Sequence, residues 1–362
     1  MTSVVPLLDG KRVVICAGSG GVGKTTTSAA LAMGMAAQGM KVAVVTIDPA
    51  KRLANALGVA ELGNEPHLVD PALFEPHGVT MEGELWAMML DAKRTFDEVI
   101  ERLAPDAATR DEIFDNRIYQ QLSSAVAGSQ EFTAIAKLFE LDQDGDYDLL
   151  VLDTPPSRNA LDFLEAPDRL TGFLDGRALQ ALLAPTGLAA RVMGRGTGVV
   201  FSTLGRVTGI DLLGDLSVFF RSLSGLIDGF RRRASGVKAL LGDPATTFLI
   251  VTSPEREPVE EALFFHGRLR DAAMPFGGLI VNRVHAEPAA GAAGLEASLG
   301  GRLAAKVGDA VRDVATLAHR DREAIARLRR EMGVDDPVLV PLLDQDVHDL
   351  DGLLLLRGHL LQ

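Results

Sequence analysis

Apolar and polar positions follow one another in blocks along the chain, and the blocks predict strands and helices in regular succession. Seven short runs are rich in β-branched and aliphatic residues, at 12–17, 41–47, 84–90, 147–153, 246–253, 277–282 and 336–343. Several runs are continuously apolar, which is typical of strands covered on both faces of a parallel sheet. Helical patterns such as SAALAMGMAAQG lie between them. The succession predicts an α/β fold with a mostly parallel, doubly wound sheet flanked by helices.

Two helical stretches interrupt this succession. The first covers about 92–140, and the second covers 166–242, where no run of strand type occurs. Within the second stretch, apolar residues step by three and four along one face at Leu213, Leu216, Phe220, Leu223, Ile227 and Phe230. We therefore predict one domain over 1–362 with a helical subregion at 92–140 and a helical insertion at 166–242. The apolar face either packs inside the protein or, with many glycines nearby, forms a hydrophobic surface for a client or partner.

A phosphate-binding loop is predicted directly after the first strand. The segment GSGGVGKT at 18–25 fits the pattern G-x-x-x-x-G-K-[ST] and stands between a predicted strand and a predicted helix. Such glycines let backbone N–H groups point at phosphates, and the helix N-terminus adds the positive end of its dipole. We expect Lys24 to reach the β- and γ-phosphates and the Thr25 hydroxyl to ligate Mg²⁺. The predicted nucleotide-binding residues of the loop are Gly18, Ser19, Gly20, Gly21, Val22, Gly23, Lys24, Thr25 and Thr26.

Two aspartates end predicted strands near this loop. Asp48 follows the second strand in TIDPAKRLANALG, and Asp153 ends YDLLVLD. The carboxyl ends of parallel strands meet at one edge of the sheet, so both carboxylates are expected near the nucleotide. Each aspartate taken alone also fits a strand end or a helix cap. Together with the loop, both become predicted catalytic residues, and Asp153 joins Thr25 as a predicted part of the metal site.

Composition narrows the location and the partners. The net charge of −13 argues against a nucleic-acid surface and against attraction to an anionic membrane. No secretory leader and no charge-free window of about 18 residues occur, so we expect a cytoplasmic protein without direct membrane insertion. The C-terminal segment LDGLLLLRGHLLQ is predicted to be a packed helix. The single cysteine, Cys16, is predicted to lie in the core, and one cysteine permits no CxxC zinc clamp within the chain.

The motifs together resemble the ArsA family of deviant Walker ATPases, which includes the arsenite-pump ATPase and the targeting factor for tail-anchored membrane proteins. The segments that carry the resemblance are the loop, TIDPAKRLANALG, DTPPSRNALDFLEAP, IVNRV and VPLLDQDVHDL. They occur in family order over about residues 10 to 360 and are most similar to bacterial, actinobacterial-type anion-transporting ATPases. The resemblance implies a P-loop NTPase fold, an ATP- and Mg²⁺-dependent ATPase, and a dimer.

The resemblance also implies residue roles. Asp48 corresponds to the switch I acid that orients the attacking water, and Asp153 with Thr154 to the switch II segment that senses the γ-phosphate. Asn282, followed by Arg283, corresponds to the asparagine that recognises adenine. The tail that covers the base corresponds to Pro341, Leu342 and Leu343. No guanine-reading N/T-K-x-D motif stands in a matching place, which favours ATP over GTP.

Three departures from the family pattern affect the expected mechanism. The family's first loop lysine, which reaches the partner's nucleotide across a dimer, is Ser19 here, and a hydroxyl supplies no charge to the transferring phosphoryl group. The switch II segment reads DTPPSRNA where the family has DTAPTGHT, so Pro156 and Arg158 are expected to change how this switch moves. The family's zinc-binding and arsenite-binding cysteines are missing, so neither zinc nor arsenite chemistry is expected.

These observations leave several functions open. The first is an ATPase whose nucleotide state is coupled, in a dimer, to a hydrophobic client or partner bound at 166–242. Because of Ser19, a heterodimer with a related lysine-bearing subunit is favoured over a homodimer. The second is a nucleotide-locked pseudo-ATPase subunit that does not hydrolyse ATP. The third is a ParA/MinD-type partitioning ATPase, which fits the loop but fits the insertion and the acidic composition poorly.

Overall fold

The computed structural model describes residues 3–48, 51–117, 119–120, 130–155, 226–288 and 301–361. The predicted insertion lies outside the described residues up to position 225, as do Pro156 and Arg158 of the switch II segment. Of the predicted apolar face, Ile227 and Phe230 are described, and both are buried.

Eight described strands form one sheet. Their bounds are β1 Val13–Ala17, β2 Lys41–Thr46, β3 His67–Leu68, β4 Glu84–Met89, β5 Leu149–Asp153, β6 Thr246–Thr252, β7 Phe276–Val284 and β8 Val338–Pro341. Their order across the sheet is β3-β4-β2-β5-β1-β6-β7-β8. All neighbours are parallel except β3, which runs antiparallel to β4 at one edge. The predicted mostly parallel sheet is therefore confirmed, and each of the seven predicted runs overlaps one strand; the two-residue β3 was not predicted.

The described helices alternate with the strands over much of the chain. Their bounds are α1 Val5–Leu8, α2 Lys24–Ala37, α3 Arg52–Ala56, α4 Ala92–Leu103, α5 Ala107–Asp115, α6 Gln130–Asp144, α7 Ile227–Gly242, α8 Arg256–Asp271, α9 Gly301–Met332 and α10 Leu350–Leu361. Two short 3₁₀ helices, Pro71–Leu73 and Glu75–His77, precede β4. None of the helices formed by the described residues is long and apolar enough to cross a membrane.

Strand register brings the ends of three strands together. Cys16 of β1 and Thr46 of β2 are both paired in register with Asp153 of β5, which lies between the two strands. All residues of β1, β5 and β6 are buried, as expected for central strands covered on both faces. Consequently the loop after β1, the segment after β2 and the carboxylate at the end of β5 share one edge of the sheet.

One face of the sheet is covered by α2 and the C-terminal helix α10. Leu353, Leu356 and Leu360 of α10 are buried at helical spacing and belong to the same apolar core as α2. Gly34 of α2 lies so close to Leu361 that an added Cβ would overlap it, so the glycine permits close packing of the two helices. The predicted packed C-terminal helix is confirmed, and the prediction that Cys16 is buried is confirmed as well.

The chain divides into two compact units. The first comprises the described residues of 1–90, 141–161 and 241–362, and it contains the whole sheet. The second comprises the described residues of 91–140 and 162–240, and its apolar core includes Val99, Ile100, Ile113 and Phe230. The helical character predicted for 92–140 holds for α4, α5 and α6. The assignment of one domain with an insertion stays a prediction.

The second unit contains a network of buried charged side chains. The carboxylate of Glu140 accepts hydrogen bonds from Arg102 at 2.6 Å, Lys137 at 3.0 Å and Arg233 at 3.1 Å. Lys137 is 3% exposed and also lies 3.4 Å from Glu98. Buried charges of this kind are retained when each has partners, and this network joins α4, α6 and α7.

Candidate nucleotide-binding site

The loop after β1 depends on glycine at two positions. At Gly18, an added Cβ would collide with the backbone carbonyl oxygen of Val251 in β6, which cannot rotate away. At Gly23, φ is +94°, and an added Cβ would overlap the side-chain amide of Asn282. Glycine meets both requirements, close approach and left-handed backbone, without steric strain. The loop is thus held between β6 and β7 and leads directly into α2, which begins at Lys24.

Lys24 is buried at the start of α2. Its ammonium group donates a hydrogen bond of 2.8 Å to the backbone carbonyl of Ser19, and the residue is 7% exposed. Burial lowers the pKa of Lys24, while the nearby carboxylate of Asp153 acts in the opposite direction. Ser19 itself is 8% exposed. The loop therefore holds the lysine in place through its backbone, and this contact does not depend on the side chain at position 19.

Asp153 is the most buried carboxylate of the site. Its Oδ2 atom accepts hydrogen bonds from the hydroxyls of Thr25 at 2.6 Å and Thr46 at 2.8 Å. Burial raises the pKa of Asp153 to about 6, although both hydroxyls and the charge of Lys24 lower it. Its Oδ1 atom is buried and has no hydrogen-bond partner among the described residues. A carboxylate in this state favours a nearby cation.

The residues around Asp153 fit a bound Mg²⁺. The unpartnered Oδ1 and the Thr25 hydroxyl supply the oxygen donors that this ion prefers. Within the described ranges no group of three or more His, Cys, Asp or Glu side chains could hold a metal by itself. That fits Mg²⁺, which is usually bound through one or two carboxylates together with water and substrate phosphates.

Asp48 lies beside this carboxylate, on the segment that follows β2. Its backbone N–H donates to the Thr46 hydroxyl at 3.2 Å, which links it to Asp153 through one shared side chain. Its Oδ2 atom lies 3.5 Å from Nη1 of Arg52, and its side chain is 27% exposed. Asp48 is therefore at the predicted sheet edge, half-buried and accessible to solvent.

Asn282 and Arg283 lie at the end of β7. The Asn282 amide donates a 2.9 Å hydrogen bond to the carbonyl of Val22, and its Oδ1 accepts the backbone N–H of Arg283 at 2.9 Å. Arg283 has a left-handed backbone with φ of +61°. Leu342 joins this segment through a backbone hydrogen bond to Val284. The predicted base-side residues are thus adjacent to one another and to the phosphate loop.

A cleft of about 350 Å³ runs between these segments. It is lined by Gly21, Gly23, Lys24, Thr25, Thr26, Arg52, Asn282, Arg283, Pro341, Leu342, Leu343, Gln345, Asp346 and Val347. The structure thus brings ten of the predicted residues into one cleft. The cleft is not lined by the other predicted residues that the structure describes, which are Gly18, Ser19, Gly20, Val22, Asp48, Asp153 and Thr154.

Sequence reasoning missed several residues of the site. Thr46 bonds Asp153, and Arg52 lines the cleft together with residues 345–347. A signal was available for Arg52, because it is a cation only four residues after Asp48 in the segment TIDPAKRLANALG. The position of Thr46 at the end of β2, in register with Asp153, becomes apparent only from strand order.

The lone cysteine takes no part in ionic chemistry. Burial raises the pKa of the Cys16 thiol to about 12, so the thiol stays neutral at physiological pH. A neutral buried thiol is neither a nucleophile nor a metal ligand. Its place at the end of β1 is a packing position.

Comparison with known proteins finds one matching family and several similar ATPases. Residues 11–298 match the family described as "Anion-transporting ATPase". A Streptomyces coelicolor protein that is itself uncharacterized is 34% identical over 197 residues, which are 53% of this chain and 46% of that protein. ATPase ARSA1 of Chlamydomonas reinhardtii is 28% identical over 298 residues, 76% of this chain and 35% of that protein. ATPase get3 of Aspergillus terreus is 32% identical over 160 residues, 43% of each chain.

These matches differ in how much of each relative they cover. The matched part spans only 35% to 46% of the length of these three relatives. The family match includes the phosphate loop, both site aspartates and Asn282.

Proposed function

The chain belongs to the anion-transporting ATPase family, and from that premise we propose that it binds ATP with Mg²⁺ and transfers the γ-phosphoryl group to water. One observation carries the proposal. The buried carboxylate of Asp153 accepts hydrogen bonds from Thr25 and Thr46, and its other oxygen has no partner among the described residues. A phosphate loop beside a partly unsatisfied, buried carboxylate is the arrangement that a metal–nucleotide complex would complete.

Each group has a chemical task in this proposal. Lys24 would leave the carbonyl of Ser19 and bind the β- and γ-phosphates, and Thr25 and Asp153 would hold the metal. When bound, Mg²⁺ would neutralise charge on the phosphates. Asp48, half-buried and close to Asp153, would orient the attacking water.

The base would be held at the other end of the cleft. Asn282 and Arg283 would contact adenine, and Pro341 and Leu343 would cover it. Support comes from the cleft itself, because all four residues line it together with the phosphate loop. The amide of Asn282 also bonds the loop at Val22, so base recognition and loop position would be connected.

We further propose that nucleotide state is coupled to assembly in a dimer. Because Ser19 supplies no charge, a heterodimer with a lysine-bearing subunit is favoured over a homodimer. The region 166–242 is the candidate surface for a hydrophobic client or partner. Ser19→Lys should increase turnover of the isolated chain if position 19 meets a second copy, whereas Ser19→Gln should not.

A second candidate function is a nucleotide-locked subunit that binds ATP without hydrolysing it. The serine at position 19 favours this candidate, while the presence of Lys24, Thr25, Asp48 and Asp153 favours hydrolysis. Bound ATP that persists unhydrolysed for hours in the purified protein would select the second candidate. A ParA/MinD-type partitioning role is a more distant alternative, and the net charge of −13 does not favour DNA binding.

The test is steady-state phosphate release by the purified chain, with Mg²⁺ and with a chelator. Wild type is compared with Asp48→Asn and with Asp146→Asn, an exposed carboxylate at the opposite end of β5. Turnover that needs Mg²⁺ and is lost only in Asp48→Asn would support an autonomous ATPase. Turnover equal in all three proteins would refute the role of Asp48. Failure to bind ATP in calorimetry would refute the proposed function altogether.

A further inference from the structure

Arg52 is a cation that faces the phosphate loop and that the loop motif does not include. It begins α3, four residues after Asp48, and its side chain is 65% exposed. It lines the same cleft as Lys24, Thr25 and Thr26. Among the described residues that line this cleft, only Lys24, Arg52 and Arg283 carry a positive charge.

Strand order separates the two arginines. β2 and β7 each lie two strands away from β1, on opposite sides of it. Arg52 follows β2 and is on the side of Asp48, whereas Arg283 is in β7 beside Asn282. Arg52 is therefore on the side of the loop where the carboxylates lie, and Arg283 is on the base side.

The present partner of Arg52 is easily replaced. Its Nη1 atom lies 3.5 Å from Oδ2 of Asp48, and both side chains are reached by solvent. Exposed ion pairs of this kind contribute little to stability. A guanidinium binds phosphate oxygens through several N–H groups at once, so a polyphosphate competes well against a single carboxylate.

We propose that Arg52 is a phosphate-binding residue that leaves Asp48 for the γ-phosphate when ATP enters the cleft. It then supplies, within one chain, positive charge that the loop lacks at Ser19. The same exchange ends the ion pair between Arg52 and Asp48. This inference rests on the proposed ATP site, and it adds a residue and a partner exchange that neither the loop motif nor the two aspartates require.

The experiment measures the dissociation constants of ATP and ADP in the presence of Mg²⁺ by titration calorimetry. The proteins are wild type, Arg52→Gln, Arg52→Lys and the neighbouring control Lys51→Gln. Lys51 is exposed, lies 3.5 Å from Glu61 and does not line the cleft. Arg52→Gln should weaken ATP binding about tenfold and ADP binding much less, because one charged contact to the terminal phosphate is lost. Arg52→Lys should recover part of the loss, and Lys51→Gln should match wild type.

The outcomes separate this inference from the proposed function. If wild type binds ATP and Arg52→Gln keeps the same ratio of ATP to ADP affinity, the role of Arg52 is refuted and the ATP site stands. Equal losses for both nucleotides would likewise refute a contact to the γ-phosphate. If wild type binds neither nucleotide, the proposed function and the inference fail together. Fluorescence of the single tryptophan, Trp86, checks that each variant is folded.

Discussion

Asp153 is held in a state that is costly for the folded protein without its ligand. The carboxyl is 2% exposed, and burial raises its pKa from 3.8 to about 6. We predict that Asp153→Asn, which keeps the shape of the side chain and removes its charge, makes the nucleotide-free protein more stable relative to wild type at neutral pH than at acid pH. The same change should abolish Mg²⁺-dependent turnover, because the anionic oxygen that would hold the metal is lost.

The magnitude follows from the change in pKa. A folded-state pKa above the unfolded value means that the native state binds more protons than the unfolded state between about pH 4 and pH 6. Stability contributed by Asp153 therefore falls as pH rises through that window and is constant above it. A difference of about two pKa units, at about 1.4 kcal/mol each, gives about 3 kcal/mol. The asparagine variant lacks this titration.

Urea unfolding at pH 4.0 and pH 7.5, with a chelator and no nucleotide, measures the effect. Both values lie away from the pI near 5.0, where solubility is lowest. Trp86, in β4 of the sheet unit, reports on the part of the chain that contains Asp153. Asp146→Asn, an exposed change at the other end of β5, is the control.

The decisive quantity is the stability difference between Asp153→Asn and wild type, compared across the two pH values. The asparagine amide places N–H groups where the unpartnered oxygen lies, and that cost of about 1–2 kcal/mol does not depend on pH. Because the unfolded-state carboxyl is already more than half ionised at pH 4.0, the difference should shift in favour of the variant by about 2 kcal/mol between pH 4.0 and pH 7.5. A shift below about 1 kcal/mol, or one equal to that of Asp146→Asn, would refute the proposed cost of the buried charge.

Three further predictions concern the loop and its neighbours. Lys24→Met should change the free energy of unfolding by less than about 1 kcal/mol, as urea unfolding will measure, because burial already disfavours the ammonium group. It should weaken ATP binding about 100-fold in calorimetry, because the phosphates require that ammonium group. Gly18→Ala should destabilise the folded protein by about 3 kcal/mol, because the added methyl group collides with a backbone carbonyl. Gly267→Ala, in open space on α8, should stabilise it by about 0.7 kcal/mol. Equal urea midpoints for the two variants would contradict the packing argument. Thr46→Val should lower the free energy of unfolding by about 2 kcal/mol and raise the pKa of Asp153, because the buried carboxylate loses one hydrogen-bond donor. Infrared spectroscopy can follow the titration of this carboxyl, and a titration identical to that of wild type would contradict the prediction.

Much of the fold follows from local pattern. Apolar, β-branched runs predicted seven of the eight strands, and several of these runs are continuous because central parallel strands are covered on both faces. The antiparallel strand β3 has only two residues, His67 and Leu68, and both are exposed, so it left no apolar signal. β3 pairs with β4, and this pairing depends on where β4 lies in the sheet, which local sequence pattern does not reveal.

The candidate site divides in the same way. Residues within one motif, such as Lys24 and Thr25, are predictable because the loop, the strand before it and the helix after it are contiguous. Thr46 was missed because its role depends on pairing between β2 and β5, which are 107 positions apart at the Thr46–Asp153 contact. Residues 345–347 were missed because β8 and the segment after it return to the cleft only once the sheet has formed.

Three pairings within the sheet unit together define what the site should bind. The Lys24 ammonium bonds a loop carbonyl, the Thr25 hydroxyl bonds Asp153, and the guanidinium of Arg52 lies beside Asp48. Because each group already has a partner, a ligand gains affinity only by offering a better one, and net affinity is smaller than the sum of its contacts. Phosphate alone would replace the partners of the two cations, and metal alone would compete for the carboxylate. A metal-bound nucleoside triphosphate would replace all three partners at once, so we expect it to bind more tightly than phosphate alone or metal alone.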